Sequence, residues 1–395
     1  MHKDYIDLNY MLNKLQWENY IDNKKHNLNN ICEKIFEYID SMLKNKEIIL
    51  SKRYIREWID KSCEVSTLKN KLDDFDNYIN EVRIIKEDLA DKICPDVISL
   101  MKLRNTKSIE IGYKNYQDAI LKSDNMTYEE LKNWLDDFIN KNMQNAIQII
   151  NKYNVKWNSW FSDLDKINDK NIKYIDSYEL IFKFAEKMDM LEVIENVKIY
   201  YGNSICFATK IAPDDIRISV GDIKSLNDIR TLFHEFGHAI LYYYSNDSYF
   251  QITQCLDEVF AVIIENLAPT IVLSEDEVSK INEINCLEYA RTAVSGLFEL
   301  ELWNNIDLAE KLYSKYYSRF NIEIENPKIW CLDSFRSIDC MYIYNYTLGQ
   351  IASEHFKDIF YNNYKGKCKP YSNVLKKICS KISEINYVDL LNFEK

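Results

Sequence analysis

Three observations predict a mainly α-helical fold with one small β-sheet. Chain breakers are scarce, with 7 Gly and 5 Pro in 395 residues, which favours long helices over many strands and turns. Apolar residues recur at helical spacing through most of the chain. One stretch, Val197 to Gly221, differs in texture and is rich in β-branched and aromatic residues.

Taken in order, "ICEKIFEYIDSML" places Ile31, Ile35, Ile39 and Leu43 on one stripe with charges between them. Pro95, in "KICPDVISL", is expected at a helix start. "YEELKNWLDDFINKNMQNAIQIINKY" repeats the helical pattern with Leu131, Leu135, Phe138 and Met143. Residues 1–195 therefore read as a helical portion, and 196–395 as the portion that holds the strands. No repeat, low-complexity tract or linker separates them, so one domain over 1–395 is expected. In "VKIYYGNSICFATKIAPDDIRISVG", Gly202 and Pro213 punctuate a strand unit over 197–221. Ser225, with Asp228 three residues later, is placed as a helix cap. The helix that follows is predicted over 226–244.

Bulk properties exclude several function classes. The net charge is −12, unlike the basic surface of a nucleic-acid binder. Ten Cys are scattered without a CxxC pair, so a thiolate zinc site has no support. The N-terminal stretch has early acids and no apolar signal core, and no apolar run approaches a membrane span. A cytoplasmic chain with reduced thiols, acting on neither nucleic acid nor membrane, is the expectation.

The predicted helix contains "TLFHEFGHAILYYYS". Residues i and i+4 share a helix face, so His234 and His238 can point at one metal ion. Glu235 adjoins that face and can reach a water beside the ion. A catalytic zinc takes three protein ligands and leaves one position open. It lowers the pKa of water, and a glutamate then handles the proton. Gly237 costs roughly 1 kcal/mol against Ala inside a helix, so close approach of another backbone is expected there. The third ligand should lie downstream. His355 is the one histidine left there and has no second histidine at ligand spacing, so a carboxylate is expected. "QCLDEVFAVIIENLAPT", a helix predicted over 254–268, presents Glu258 and Glu265 on one face with Ala261 between them. Glu258 is the preferred ligand, with Glu265 orienting a histidine. Asp257 is the rival ligand and otherwise stands with Glu265 behind the ligands, though it points about 100° away from Glu258 on an ideal helix.

Together these stretches resemble the thimet oligopeptidase and oligoendopeptidase F family of HExxH zinc peptidases (gluzincins), related in fold to angiotensin-converting enzyme and Taq-type carboxypeptidases. "TLFHEFGHAI" is similar to the family's zinc helix, and "DEVFAVIIEN" to its second helix, which maps the third ligand onto Glu258. "MYIYNYTLGQIASEHF", within 339–356, is similar to the Tyr-rich segment whose hydroxyls face the zinc. "LMKLRNTKSIEIGYKNYQDAIL" resembles an upstream helical segment. "YGNSICFATKIAPDDIRISV" sits where the family has strands lining its substrate groove, so Ser204 and Cys206 are placed there. The resemblance implies a two-lobed helical body with a deep central channel, a small sheet beside the zinc helix, one Zn2+ per chain and cleavage of short unfolded peptides.

Three features depart from the family. The chain is shorter than a typical member. Ala261 stands where Ser or Thr is common. No His precedes the Tyr cluster, and Arg336 falls near its place. Arg336 is open to two roles, binding a substrate carboxylate or oxyanion, or serving as an ordinary salt-bridge residue. Tyr346 is the first choice for a catalytic hydroxyl. Tyr342 shares its face on a helix, and Tyr344 is nearby in the motif. The function implied is zinc-dependent peptide hydrolysis with Glu235 as general base. The alternatives are a carboxypeptidase or dipeptidase that grips a peptide terminus, or a non-catalytic zinc- or peptide-binding relative.

Overall fold

Helix periodicity dictates most of the architecture. The computed structural model describes residues 3–44, 53–63, 87–157, 160–164, 167, 176–203 and 205–393. Its mainly α-helical chain forms two compact units. The first comprises Met1–Tyr54, Lys170–Ile281 and Gly349–Lys395, and the second Ile55–Asp169 and Asn282–Leu348. Among the described residues no helix is long and apolar enough to cross a membrane, and all ten cysteines are free thiols.

In the first unit the expected stripe on helix Asn29–Lys44 buries Ile31, Ile35 and Ile39, with Met42 completing it rather than Leu43. The strand unit forms β1 (Val197–Tyr200), β2 (Phe207–Ala212) and β3 (Asp215–Ser219), in the order β1-β3-β2. β2 and β3 pair antiparallel across the turn at Pro213, while β1 runs parallel to β3. Trp17, fully buried on helix Lys3–Tyr20, packs on the rings of Tyr200 and Phe207. The neighbouring Asn13 donates from Nδ2 to the Lys210 carbonyl at 2.9 Å, which satisfies part of β2's backbone.

The histidine-bearing helix spans Leu226–Tyr244. Ser225 caps it, accepting from Asp228 N at 3.2 Å. The Asp228 carboxylate returns to Lys224 N, one residue before the cap, at 2.8 Å. The glutamate-bearing helix spans Gln254–Val272 and runs past Pro269. The two helices touch at Gly237. A Cβ there would stand 2.8 Å from the Ala261 Cα and 3.0 Å from its carbonyl oxygen. Both residues must be small for the helices to approach this closely.

In the second unit, helix Glu87–Glu110 carries Pro95 in its interior, not at its start as expected. A ring at that position removes one intrahelical bond, and the flanking residues Ala90, Ile93, Cys94 and Val97 are buried against neighbours. Packing there overrides the local signal. Helix Tyr128–Tyr153 buries Leu131, Leu135 and Phe138 as expected, and Met143 stays half-exposed.

The segment LMKLRNTKSIEIGYKNYQDAIL, which holds Arg104 and Tyr116, has a structural explanation. Arg104 is fully buried. It donates to Asp60 Oδ1 at 2.8 Å, to the Ser337 carbonyl at 2.7 Å and to the Ile338 carbonyl at 2.8 Å. Arg56 donates to the Cys340 carbonyl and, at 2.9 Å, to the Met341 carbonyl. The Met341 amide donates to Glu299 Oε1 at 2.6 Å. Met341 has φ 54, a left-handed conformation that costs a β-carbon residue about 1–3 kcal/mol unless its surroundings hold it. Two arginines and a glutamate hold it. Burial raises the Glu299 carboxyl to about 7, against the pull of Arg336. Tyr116 packs on Trp303 at 4.6 Å between centroids, with the Arg104 guanidinium 5.4 Å from its ring.

Two predictions follow from this packing. Gly237→Ala should gain helix propensity yet destabilise the protein by about 1–3 kcal/mol, the usual cost of overpacking; a stability equal to or above wild type in urea unfolding would contradict it. Arg104→Met leaves the buried Ser337 carbonyl, the half-buried Ile338 carbonyl and Asp60 without their donor, and should cost about 3–5 kcal/mol. Arg104→Lys should recover little of that, because an ammonium cannot span the fork's acceptors.

Candidate metal centre

Helical spacing builds the site. Arg230, His234, His238 and Tyr242 succeed one another at i+4 on one helix face. Opposite stand Asp257, Glu258 and Glu265, all buried on the neighbouring helix. The Nε2 atoms of His234 and His238 lie 3.2 Å apart. Glu258 Oε2 is 3.4 Å from His234 Nε2, and Oε1 is 3.6 Å from His238 Nε2. These three residues form a group able to hold a metal ion.

The donor set fits zinc. Ligands about 2.0–2.1 Å from a tetrahedral zinc stand roughly 3.3 Å from one another, close to the separations found. The outer histidine nitrogens are already engaged. His234 Nδ1 meets Glu265 Oε2 at 3.0 Å, and His238 Nδ1 meets Asp257 Oδ1 at 2.7 Å. Such contacts fix the tautomer that leaves Nε2 free to ligate. Asp257, the sequence's rival ligand, is therefore engaged with a histidine's far nitrogen, as Glu265 is.

The electrostatics agree with this arrangement. Burial favours a neutral His234 ring, yet Glu258 and Glu265 outweigh it and hold the imidazole well above its ordinary range. Burial would raise the Glu258 carboxyl, but His238 and His234 hold it below the usual carboxylate range. In Glu235 burial wins and the carboxyl is raised, although the two histidines and the Ala208 backbone amide on β2 favour its charged form. Glu235 thus lies between the histidines and the sheet, buried, with its carboxyl above the usual carboxylate range.

Sequence reasoning missed Arg230 and Tyr242. Arg230 Nη2 pairs with Glu265 Oε1 at 2.7 Å, and Tyr242 donates to Asp257 Oδ2 at 3.1 Å. The available signal was the i+4 series itself, one turn before and one turn after the two histidines.

The other expected residues are placed as follows. Ser204 lies outside the described residues. Cys206 is half-buried, its thiol raised by burial. Arg336 is 1 % exposed. It donates to Tyr317 Oη at 3.1 Å, and its guanidinium lies 5.7 Å from the Phe298 ring centroid and 3.4 Å from Asp333 Oδ2. Of the two roles open to Arg336, its surroundings are those of an internal ion-pair residue. The helix carrying the tyrosines starts at Tyr344. Tyr344 is buried and donates to Asp124 Oδ2 at 2.9 Å. Tyr342 and Tyr346 are half-exposed neighbours, 5.9 Å between ring centroids.

No family model and no curated protein matches the sequence. Solved structures do match in fold. PZ peptidase A, solved with an inhibitor, is 16 % identical at TM-score 0.58, covering 86 % of this chain and 66 % of its own. The Pyrococcus furiosus carboxypeptidase is 12 % identical at TM-score 0.62, covering 98 % of this chain and 93 % of its own. Trypanosoma cruzi metallocarboxypeptidase 1 is 11 % identical at TM-score 0.61, covering 98 % and 92 %. The chain spans about two thirds of the first of these and nearly all of the other two. The fold implied by the HEFGH and DEVFAVIIEN stretches is the fold found: this chain is built as these peptidases are.

Proposed function

We propose that the protein is a zinc-dependent peptidase acting on short, unfolded peptides. The observation that carries this reading is the convergence of His234 Nε2, His238 Nε2 and Glu258 at tetrahedral ligand spacing, on a fold shared with metallopeptidases. His234, His238 and Glu258 would hold one zinc per chain. A bound zinc supplies Lewis acidity and lowers the pKa of water. Glu235 accepts the proton of the attacking water and returns it to the leaving amine. Burial raises its carboxyl above the usual range, which suits a group that must hold a proton between those two events. The Ala208 amide fixes its orientation. The resemblance in the Tyr-rich segment assigns Tyr346 to donate to the oxyanion that develops on the scissile carbonyl. Tyr342 is the reserve, because the Tyr344 hydroxyl is engaged with Asp124.

A second reading, removal of residues from a peptide terminus, is favoured by one observation. This chain covers 93 % of the carboxypeptidase structure's length but 66 % of PZ peptidase A's. Mass spectrometry of products from a mixed peptide pool separates the two, through stepwise loss of terminal residues or internal cuts. Cleavage that persists after zinc is chelated would sink both.

Two substitutions separate binding from chemistry. Glu258→Ala should lose zinc and activity together. Glu235→Gln should keep zinc and peptide affinity while the rate falls at least about 100-fold. Full zinc and full activity in Glu258→Ala would transfer the ligand role elsewhere. For the oxyanion, Tyr346→Phe should lower kcat and kcat/KM together by about 100- to 1,000-fold at nearly constant KM. A raised KM at constant kcat would make Tyr346 a ground-state binding group instead.

A further inference from the structure

We infer that Arg230 and Tyr242 are positioning residues of unequal weight: Arg230, acting through Glu265, fixes His234 for the metal more firmly than Tyr242, acting through Asp257, fixes His238. The inference rests on the zinc reading above.

The two arms have the same plan. In each, one buried carboxylate bridges a histidine Nδ1 and a second side chain one helical turn from that histidine. Glu265 contacts His234 Nδ1 at 3.0 Å and Arg230 Nη2 at 2.7 Å. Asp257 contacts His238 Nδ1 at 2.7 Å and the Tyr242 hydroxyl at 3.1 Å. The arms differ in the charge at their outer end. Arg230 is a permanent cation, its side chain about one tenth exposed, and its other arm Nη1 donates to Asn227 Oδ1 at 2.9 Å. Its fork is therefore fixed at both ends. Hydrogen bonds between charged partners are roughly twice as strong as neutral ones, and burial strengthens them further. Glu265 cannot turn away from His234 without breaking an ion pair in a nearly dry setting. Asp257 is restrained there by a neutral phenol.

Removing the cation has a second consequence. Glu265 would remain buried without the Arg230 guanidinium at its Oε1. Its carboxylate would then be freer to rotate away from His234 Nδ1, and that movement disturbs a ligand. Loss of the Tyr242 hydroxyl removes one neutral donor and leaves the Asp257–His238 contact in place.

The experiment measures zinc affinity, not turnover. Metal-stripped, folded protein is titrated with zinc against a chromophoric chelator, and circular dichroism confirms the fold of each variant. Arg230→Met should weaken zinc binding about 10- to 100-fold, the range for loss of a group that orients a ligand. Tyr242→Phe should weaken it less than about 10-fold. Arg230→Lys should fall between wild type and Arg230→Met, since an ammonium cannot bond Asn227 and Glu265 as a fork does. Because Arg230 is held to act through Glu265, the double variant Arg230→Met/Glu265→Gln should bind zinc no more weakly than Glu265→Gln alone. An unchanged affinity in Arg230→Met, a larger loss in Tyr242→Phe, or fully additive losses in the double variant would each overturn the inference. If Arg230→Met does not fold, Arg230→Lys decides, and wild-type affinity in that variant overturns it. A wild-type chain that binds no zinc overturns the metal reading and this inference together. Tight wild-type binding with Arg230→Met unchanged overturns this inference alone.

Discussion

The candidate metal centre depends on one contact, the close approach of the helices Leu226–Tyr244 and Gln254–Val272 where Gly237 faces Ala261. At larger separation Glu258 would not come within ligand distance of both histidines, and the two outer carboxylates would not reach the Nδ1 atoms. The contact also creates a difficulty. It places Asp257, Glu258 and Glu265 in the interior, where an unpaired carboxylate is expensive. The i+4 series Arg230, His234, His238, Tyr242 answers it by giving Glu265 a cation and an imidazole, and Asp257 an imidazole and a phenol. Small residues set the distance, and the polar ladder makes that distance tolerable.

This division explains what could be read from the sequence. Helix Leu226–Tyr244, its Ser225 cap and the packing reason for Gly237 were legible because each is a local requirement of backbone geometry. The pairing of Glu258 with the histidines was legible because a buried acid seven residues from another, on an apolar helix, needs a partner. Arg230 and Tyr242 carry the same spacing signal, yet arginine and tyrosine on a helix face acquire meaning only from what stands opposite. Asp257 stood open to two roles, rival ligand or a residue behind the ligands, because its 100° offset from Glu258 aims it aside. In the folded protein that offset turns it toward the far nitrogen of His238.

The second unit was less legible for a related reason. Arg104 and Asn105 could be noticed, but nothing local says that an arginine will collect carbonyls from residues more than two hundred positions later. Nor does periodicity forecast a left-handed Met341. Arg336 stood open to two roles because it falls near the place where the resemblance has a histidine. Glu299, Asp333, Tyr317 and Phe298 supply its surroundings in the fold.

The strain at Met341 and the tyrosines that follow it belong to one arrangement. An unfavourable backbone conformation survives only where neighbours determine it, and here Arg56, Arg104 and Glu299 grip the segment Ser337–Met341 from several directions. Left to itself, the chain before Tyr342 would relax toward an ordinary conformation and rotate the residues after it. Holding the turn fixes the start of the helix at Tyr344. That start sends the Tyr344 hydroxyl inward to Asp124 and leaves Tyr342 and Tyr346 half-exposed side by side. The sequence offers three tyrosines in five residues, of which the resemblance puts Tyr346 first. Which hydroxyl turns inward is set by the backbone immediately before them, and that backbone is held by side chains from elsewhere in the same unit.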